Sequence, residues 1–346
     1  MSILFANIEK GGQSVEERKE EVFEKYDLVI RSVHRTRGAF LLDTNKGMKL
    51  FKNFHGTKNK LEFEHKIKEG LKKNGFGCID NFVINKEGEI ISSDSKGQQY
   101  IVKDWFVGEE CNLKETEQVK GAAKCLGELH KHMQGITLDE PREYSPVYQL
   151  NNIFEKHNRE LKRVRSYIRD KKQRNSFEIR FLTAFEDFYG QALAATELLQ
   201  EPFYMDLTRE AVELQKLCHG SYNYHNVLFT KDGTVVTNFD KVEIGIQAHD
   251  LYSFLRKVME KNNWKLSYAY AVFEGYQEAC PIRKEEYQLL YTLLLYPEKF
   301  WKVTNYYFNS KKSWISEKNT EKLRRILDQK QQKALFLKEI KRFTNI

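Results

Sequence analysis

The distribution of strand-like and helix-like patterns along the chain constrains its fold more than any other feature. One helical pattern, over 58–74, lies among the strands of the first third of the chain, and Gly75 is well placed to end it. The strand patterns are short runs rich in β-branched and aromatic residues, separated by turn residues: 26–33, 37–44, 48–54, 82–88 and 99–108. This part of the chain is therefore predicted to form a small sheet with one helix.

After Gly108 the pattern changes to predominantly helical. Residues 115–133 and 148–200 have helical periodicity, which resumes at Asp250 and continues to the end. Strand patterns return only at 226–239, where the sequence Lys-Asp-Gly predicts a hairpin turn. The second part is therefore predicted to be helical with one inserted hairpin.

This order of elements predicts an α+β protein with two lobes, at 1–107 and 108–346, joined by a connector near 105–109. The chain has 346 residues, enough for two lobes of ordinary size. Hydrophobic residues make up 40% of it and charged residues 31%, which favours a folded protein and excludes wholesale disorder.

Charge and cysteine content exclude several classes of function. The net charge of +8 suits phosphates, but the lysines are spread along the chain without a zinc-finger or RNA-binding signature, so nucleic acid is not an expected partner. The five cysteines include no CxxC pair, which argues against a cysteine metal site and favours a reduced, intracellular chain. No apolar run is long enough for a signal peptide or a membrane span, and we expect neither.

The segment CHGSYNYHN, at 218–226, lies directly before the predicted hairpin. His219, Gly220 and Asn226 follow the spacing of a phosphotransfer catalytic loop, in which the asparagine holds a metal ion. The histidine of such a loop orients the backbone. An ordinary polar turn has the same spacing, so the motif gains its weight from the hairpin that follows it.

Lys52 and Glu64 form a second candidate pair. Lys52 lies on the third predicted strand, and Glu64 lies on the helix after it. A lysine that binds phosphate projects from a rigid strand, and a carboxylate one helix later can pair with it. The chain has 57 basic residues, so a lysine at this place is also expected by chance, and the pair alone does not decide the function.

Three segments resemble the CotS family of bacterial spore coat proteins: HGSYNYHN (219–226), TNFDKVEIGIQAHDLYSFLRKVMEKNNW (237–264) and LLYPEKFWKVTNYYFNSKKSWISEKN (294–319). That family is similar in fold to the aminoglycoside phosphotransferases and choline kinases. The resemblance extends from about Tyr26 to the end of the chain. It implies a two-lobed, protein kinase-like fold in which 1–107 is the nucleotide-binding lobe and 218–240 the catalytic-loop hairpin.

The resemblance also implies ATP and Mg²⁺ as cofactors and assigns roles to particular residues. Lys52 would contact phosphate with Glu64 as its partner, and Asp250 would support the catalytic loop. The backbone of the connector would hold adenine. The implied site residues are Lys52, Glu64, Asp104, Trp105 and Phe106 for the nucleotide, and Asn226 and Asn238 for the metal.

Two residues depart from the pattern of an active phosphotransferase. Ser221 stands where the catalytic aspartate is expected, and a neutral hydroxyl cannot accept the substrate's proton at neutral pH. Asn238 stands where the magnesium-binding aspartate is expected, and an amide is a weaker ligand for a hard cation. Asp240 would share a face with Asn238 if the strand continued, which makes it the candidate replacement.

The resemblance therefore implies a spore coat protein with impaired phosphotransfer. It would be synthesised in the mother-cell cytoplasm and act in coat structure or assembly, with other coat proteins as partners and a nucleotide or small molecule as ligand. One alternative stays open, an active ATP-dependent phosphotransferase that acts on a small hydroxylated or amino substrate and uses Asp240 in an altered metal site.

Three further features have two interpretations each. His34, Arg35 and Arg37 either contact phosphate or form a solvated turn. Residues 299–314 combine aromatic and basic side chains, typical of a binding surface or of a packed helix with a basic edge. Residues 155–174 form either a solvated amphipathic helix or a docking surface.

Overall fold

The computed structural model describes residues 19–36, 38–138, 150–310 and 317–343. The chain forms two compact units. Unit 1 consists of the residues up to Cys111 together with Tyr224–Lys241, and unit 2 consists of Asn112–Asn223 and the residues from Val242 onwards. The first unit thus ends later than the predicted boundary at 107, and the predicted hairpin segment 218–240 is divided between the units.

Unit 1 is built on a five-stranded antiparallel sheet with the order β1-β2-β3-β5-β4. Its strands are β1 (Ile30–Thr36), β2 (Ala39–Thr44), β3 (Gly47–Asn53), β4 (Ile91–Ser93) and β5 (Gln99–Asp104). One face packs on an aromatic core that includes Phe23, Phe51 and Tyr100, with the last two rings stacked at 4.9 Å. The predicted sheet is therefore present. Arg37, which was considered as a phosphate contact, lies outside the described residues.

The prediction of a strand at 82–88 is wrong. The fourth strand is β4, and 82–88 contributes only a bridge from Phe82 to Lys103 and a turn that ends at Gly88. The side chain of Asn85 explains the turn, because its Oδ1 accepts hydrogen bonds from the backbone N–H groups of Glu87 and Glu89 at 3.0 and 2.8 Å. An asparagine that satisfies two backbone donors in this way favours a turn over a strand.

Helix α1 (Lys58–Lys73) agrees with the predicted helix at 58–74. Thr57 begins the helix by accepting a hydrogen bond from the Lys60 N–H, and Gly75, at φ +91°, follows its end. Unit 1 is completed by a small sheet of β6 (Glu109–Glu110), β8 (Val227–Thr230) and β9 (Gly233–Val236), in which the predicted hairpin pairs with the end of the connector.

Unit 2 is helical. Its strands β7 (Leu217–Cys218) and β10 (Glu243–Ile244) form one short antiparallel pair. Its helices are α2 (Thr116–His132), α3 (Leu150–Arg169), α4 (Ser176–Leu198), α5 (Pro202–Glu213), α6 (Ala248–Lys261), α7 (Leu266–Gln277), α8 (Lys284–Leu295), α9 (Glu298–Asn309), α10 (Glu317–Asp328) and α11 (Lys330–Lys341). Among the described residues, no helix is both long and apolar enough to cross a membrane.

Glycines allow helices α2 and α7 to lie unusually close together. A Cβ atom at Gly275 would lie 2.3 Å from the backbone oxygen of Lys120, and one at Gly127 would lie 2.5 Å from that of Tyr276. No other residue fits at either position without a shift of the backbone. This close packing positions the side chains of α2 and α7 that support the candidate site.

An aromatic core joins α4 to α9, where Phe181 and Phe188 each stack on Phe300. In the described part of 299–314, Phe300 and Tyr307 are buried, which favours the packed helix over the binding surface; residues 311–314 lie outside the described ranges. The region predicted as helical over 148–200 consists of α3 and α4. Asn175 begins α4 with a capping box to Glu178.

Candidate functional site

The candidate catalytic loop in unit 2 is held by Asp250, in the first turn of α6. Its two carboxylate oxygens accept the backbone N–H groups of His219 at 2.6 Å and of Gly220 at 2.9 Å. Asp250 is 3% exposed, and Gly220 has φ +71°, a conformation that glycine adopts without strain. Asp250 thus fixes the loop in the way that the resemblance implied.

His130 and Tyr276 complete the support of Asp250. The Nε2 atom of His130 lies 3.1 Å from the carboxylate, and its Nδ1 atom lies 2.8 Å from the Tyr276 hydroxyl. Burial raises the pKa of Asp250, but hydrogen bonds and the nearby histidines outweigh it and lower the pKa overall, so the carboxylate stays ionised. The sequence did not predict this role for His130, because a histidine on the apolar face of α2 has no local signature.

The neighbouring His249 precedes Asp250 in the first turn of α6. Burial lowers its pKa to about 4, so the imidazole is neutral at pH 7. The His249–Asp250 sequence pair therefore gives no sign of a catalytic dyad.

Ser221 is the loop residue that the sequence pattern aligns with the catalytic acid of a phosphotransferase. His219 is fully buried, and its Nδ1 accepts the N–H of Ser221 at 3.2 Å, so this histidine orients backbone as expected. Tyr222 donates its hydroxyl to the carbonyl of Ala122 at 2.6 Å and fixes the next residue. The loop geometry is therefore built in full around Ser221.

Unit 1 contains a buried ionic quartet, formed by Glu64, Lys68, Asp80 and Lys103. Glu64 lies 2.5 Å from the Lys103 Nζ and 2.7 Å from the Lys68 Nζ. Asp80 lies 2.8 Å from Lys68 and 3.5 Å from Lys103. All four residues are 5% exposed or less, so the two acids and two bases compensate one another away from water.

The quartet keeps its carboxyl groups ionised. Burial raises the pKa of Glu64 and of Asp80, but the two ammonium groups outweigh it, and both pKa values are lowered overall. The Phe82 ring lies 4.5 Å from the Lys103 Nζ and 4.6 Å from the Lys68 Nζ, which adds a cation–π contact to each.

Lys52 is a half-buried lysine on the same face of the sheet as Lys103. It lies opposite Ile101 on β5, two residues from Lys103. Burial and the charge of Lys103 lower its pKa, while Glu64, Asp240 and Asp80 act in the opposite direction. The ion pairs of Glu64 are therefore with Lys103 and Lys68, and its predicted partner Lys52 interacts with it at longer range.

The two candidate metal residues are joined through the backbone. The carbonyl of Asn226 accepts the N–H of Thr237 at 2.9 Å, and Asn238 follows directly with φ +69°. The N–H of Asn238 donates to Asp80 at 3.1 Å, which links this segment to the quartet. Asparagine and aspartate adopt positive φ more readily than other residues with a side chain, so the backbone here is compatible with either.

Asp240 would share a strand face with Asn238 only if the strand continued through both residues. Strand β9 ends at Val236, so the alternation of a strand does not apply to these residues. Asp240 is exposed, and its charge nevertheless acts on Lys52. The candidate metal donors thus comprise two amides and one exposed carboxylate, a set poor in the charged oxygen ligands that Mg²⁺ prefers.

Among the described residues, no group of three or more histidine, cysteine, aspartate or glutamate side chains is arranged to hold a metal ion. The two amides and one exposed carboxylate of the candidate donors fit magnesium poorly, and the fit to a nucleotide rests on Lys52 and the connector.

Some backbone groups of the connector form hydrogen bonds within the protein and others do not. The N–H groups of Asp104 and Trp105 donate to Asn81 at 2.8 Å and to Met48 at 3.0 Å. Within the described residues, no backbone hydrogen bond involves Phe106 or Val107. Among the described residues, the backbone N–H groups of Asp104 and Trp105 are therefore engaged, whereas that of Phe106 has no backbone acceptor.

Comparison with known families gives this arrangement a context. Residues 19–340 match the family described as "Spore coat putative kinase YutH". The chain belongs to this family. It is also 21% identical over 320 residues to Spore coat protein S of Bacillus subtilis (strain 168), an alignment that covers 90% of this chain and 89% of the relative. The predicted resemblance to spore coat proteins is confirmed.

Solved structures confirm the kinase-like fold. The aminoglycoside phosphotransferase of Alicyclobacillus acidocaldarius subsp. acidocaldarius superposes with a TM-score of 0.85 at 18% identity, covering 94% of this chain and 96% of that one. Amicoumacin kinase hAmiN, in complex with AMP-PNP, Ca²⁺ and Ami, superposes with a TM-score of 0.58 at 12% identity, with 93% of each chain covered. At these identities the likeness concerns the fold alone.

Proposed function

We propose that this protein is a component of the spore coat in which a kinase-like fold acts as a nucleotide-binding scaffold with impaired phosphotransfer. It is made in the mother-cell cytoplasm and contributes to coat structure or assembly through other coat proteins. Family membership supports the location, and the residues of the two units support the loss of catalysis. Extraction of purified spores tests the location, since the protein must appear in the coat fraction.

The observation that carries the proposal is the complete loop around Ser221. Asp250 and His219 hold the backbone of the loop, and Ser221, which the sequence pattern aligns with the catalytic base, carries a neutral hydroxyl. Losing one strong electrostatic contact in a transition state costs ~2–4 kcal/mol. With Asn238 in place of a second acid, two such losses leave very little ordinary phosphotransfer.

Nucleotide binding is supported by residues that remain available in unit 1. Lys52 is a half-buried lysine outside the quartet, and the backbone of Phe106 is open to a base. A bound magnesium ion would supply charge neutralisation of the phosphates, with Asn226, Asn238 and Asp240 as the residues to hold it. Because this donor set is poor, we expect nucleotide binding that depends on Lys52 more than on magnesium.

Calorimetric titration with ATP, in the presence and absence of magnesium, tests the nucleotide site. The Lys52→Ala variant is expected to lose binding, and Lys60→Ala, which removes an exposed lysine of α1, is the matched control. Binding without magnesium that requires Lys52 supports the proposal. No binding under either condition would contradict the nucleotide part of it and leave a scaffold without nucleotide.

Restoring the two missing acids tests the claim of impaired catalysis. The double variant Ser221→Asp, Asn238→Asp is expected to hydrolyse ATP with magnesium at least 100-fold faster than the unmodified protein. One recovered electrostatic contact in the transition state is alone enough for a rate increase of about 100-fold. The backbone at Asn238 suits the change, because aspartate tolerates its positive φ. Single variants are the controls.

The second candidate function is an active phosphotransferase for a small hydroxylated or amino substrate. The electrostatic effect of Asp240 on Lys52 favours it, because it puts a carboxylate near the candidate phosphate site. Magnesium-dependent transfer by the unmodified protein to such a substrate, lost in Asp240→Asn, would establish this function and overturn the first.

A further inference from the structure

A cavity of 390 Å³ lies among the helices of unit 2, between α4, α6, α8, α9, α10 and α11. Its volume falls in the range of sites for small molecules. None of its lining residues comes from the loop at 218–226, so the cavity belongs to a different part of unit 2 from the loop around Ser221.

The walls of the cavity are largely apolar and rigid. Phe188 on α4, Leu294 on α8, Phe300 on α9 and Leu337 on α11 line it, and all four are buried. Trp264 adds a large ring that is 7% exposed. Packed aromatic and aliphatic side chains of this kind hold the apolar body of a ligand.

The charged side chains of the cavity are predominantly basic. Six basic residues line it but only two acidic ones, Glu260 and Glu298. Both acids are already paired within the protein, since Glu260 lies 3.1 Å from Arg256 and 2.9 Å from Lys299, and Glu298 lies 3.4 Å from Arg256. The cavity therefore has an excess of positive charge that its own acids do not neutralise.

Lys333 carries part of this excess at the apolar wall. Its Nζ donates to the carbonyl of Leu295 at 3.4 Å, a long hydrogen bond, and lies 5.6 Å from the centre of the Trp264 ring. Burial lowers the pKa of Lys333 to about 8, because Glu260 offsets the loss of water only in part. An ammonium group in such surroundings gains from a negatively charged partner.

Gln191 offers a second polar contact. It lines the cavity from α4, and its buried Oε1 has no hydrogen-bond partner among the described residues. A buried amide oxygen without a partner is uncommon in a folded protein and points to a ligand or water. The amide can present either its oxygen or its NH₂ group.

We propose that this cavity binds a small amphipathic organic anion, with Lys333 holding a carboxylate head, Gln191 as a further polar contact, and the aromatic and leucine walls around an apolar chain. The net positive charge of the lining attracts the anion even though Lys330 is paired with Asp187, and the paired Glu260 and Glu298 do not compete for it. The site stands independently of the nucleotide site in unit 1.

Calorimetric titration of the full chain with decanoate, at pH 7, tests the proposal. Lys333→Met keeps the length of the side chain and removes its charge, and it is expected to weaken binding by roughly 10- to 100-fold, as for loss of a hydrogen bond to a charged group. Lys318→Met removes an exposed lysine of α10 that does not line the cavity and is expected to bind as the unmodified protein does.

Two further measurements identify the place and the charge preference. Ala334→Trp adds a large ring to an exposed lining position on α11 and is expected to abolish binding without loss of fold, checked by circular dichroism. Decylamine, with the same chain and the opposite charge, is expected to bind at least tenfold more weakly. The proposal is overturned if decanoate does not bind, if Lys333→Met or Ala334→Trp binds it unchanged, or if decylamine binds equally well.

Discussion

Replacing Lys103 by methionine is the sharpest test of the ionic quartet. In the unmodified protein the two ammonium groups of Lys103 and Lys68 balance the carboxylates of Glu64 and Asp80. The change leaves a net negative charge among side chains that are 5% exposed or less. Methionine keeps nearly the same volume, so the effect comes from charge and not from a cavity.

The magnitude follows from the burial of the group. Removing one partner of a buried ion pair costs about 3–5 kcal/mol, because it leaves an uncompensated charge away from water. Lys68 remains 2.7 Å from Glu64 and 2.8 Å from Asp80, so we expect the lower end, about 3 kcal/mol. This is a large fraction of the 5–15 kcal/mol by which ordinary domains are stable.

A second change separates charge imbalance from the loss of a particular contact. The double variant Lys103→Met, Glu64→Gln again has one acid, Asp80, and one base, Lys68. It should therefore lose less stability than the sum of the two single variants. Lys60→Met, at an exposed position on α1, is the control for the loss of one positive charge.

Hydrogen exchange followed by mass spectrometry suits the measurement, because a protein of two units need not unfold in one step. The free energies of exchange of the β3 and β5 amides report the stability of unit 1 directly. A loss below about 1 kcal/mol in Lys103→Met, or strict additivity in the double variant, would refute the view that the quartet is a single compensated unit.

Three further outcomes are expected. The folded state lowers the pKa values of Glu64 and Asp80 from 4.5 and 3.8, so the stability that they contribute to unit 1 is present above those values and is lost as the pH falls below them. Hydrogen exchange at β5 should therefore increase at acid pH, and the Glu64→Gln variant should show a smaller increase. Asp250→Asn weakens the acceptor of two backbone N–H groups and should lower protection at His219 by about 1.5–3 kcal/mol, while α11 stays protected. Gly275→Ala should lower the midpoint of thermal unfolding, since its Cβ would lie 2.3 Å from a backbone oxygen, whereas Gly190→Ala, with nothing within 4 Å, should not.

Periodic patterns predicted the larger elements of the fold. Helix α1 and the hairpin of β8 and β9 lie where alternation, helical spacing and glycine placement put them. The short strand β4 was misplaced, because its three residues carry too little pattern to outweigh the apolar run at 82–88. The side chain of Asn85 turns that run, and only its contacts with Glu87 and Glu89 reveal it.

The candidate site was predictable where its residues lie close together in the sequence. The loop around His219 and Ser221 was predicted from its spacing together with the hairpin that follows it in the sequence. The partners of Glu64 were not predictable, because Lys103 reaches Glu64 from a strand that is 39 residues away along the chain. No periodicity marks a lysine on a strand as buried, since isolated buried lysines are rare and the compensating acids are brought together only by the fold.

The arrangement of the quartet bears on how the nucleotide site should be tested. In active kinases the helix carboxylate pairs with the phosphate-binding lysine, so a change at that lysine also releases the helix. Here Glu64 is held by Lys103 and Lys68, and the position of α1 does not depend on Lys52. Lys52→Ala should therefore remove the proposed phosphate contact while hydrogen exchange from α1 stays as it was. A loss of nucleotide binding in that variant can then be attributed to the contact itself, which the same substitution in an ordinary kinase would not allow.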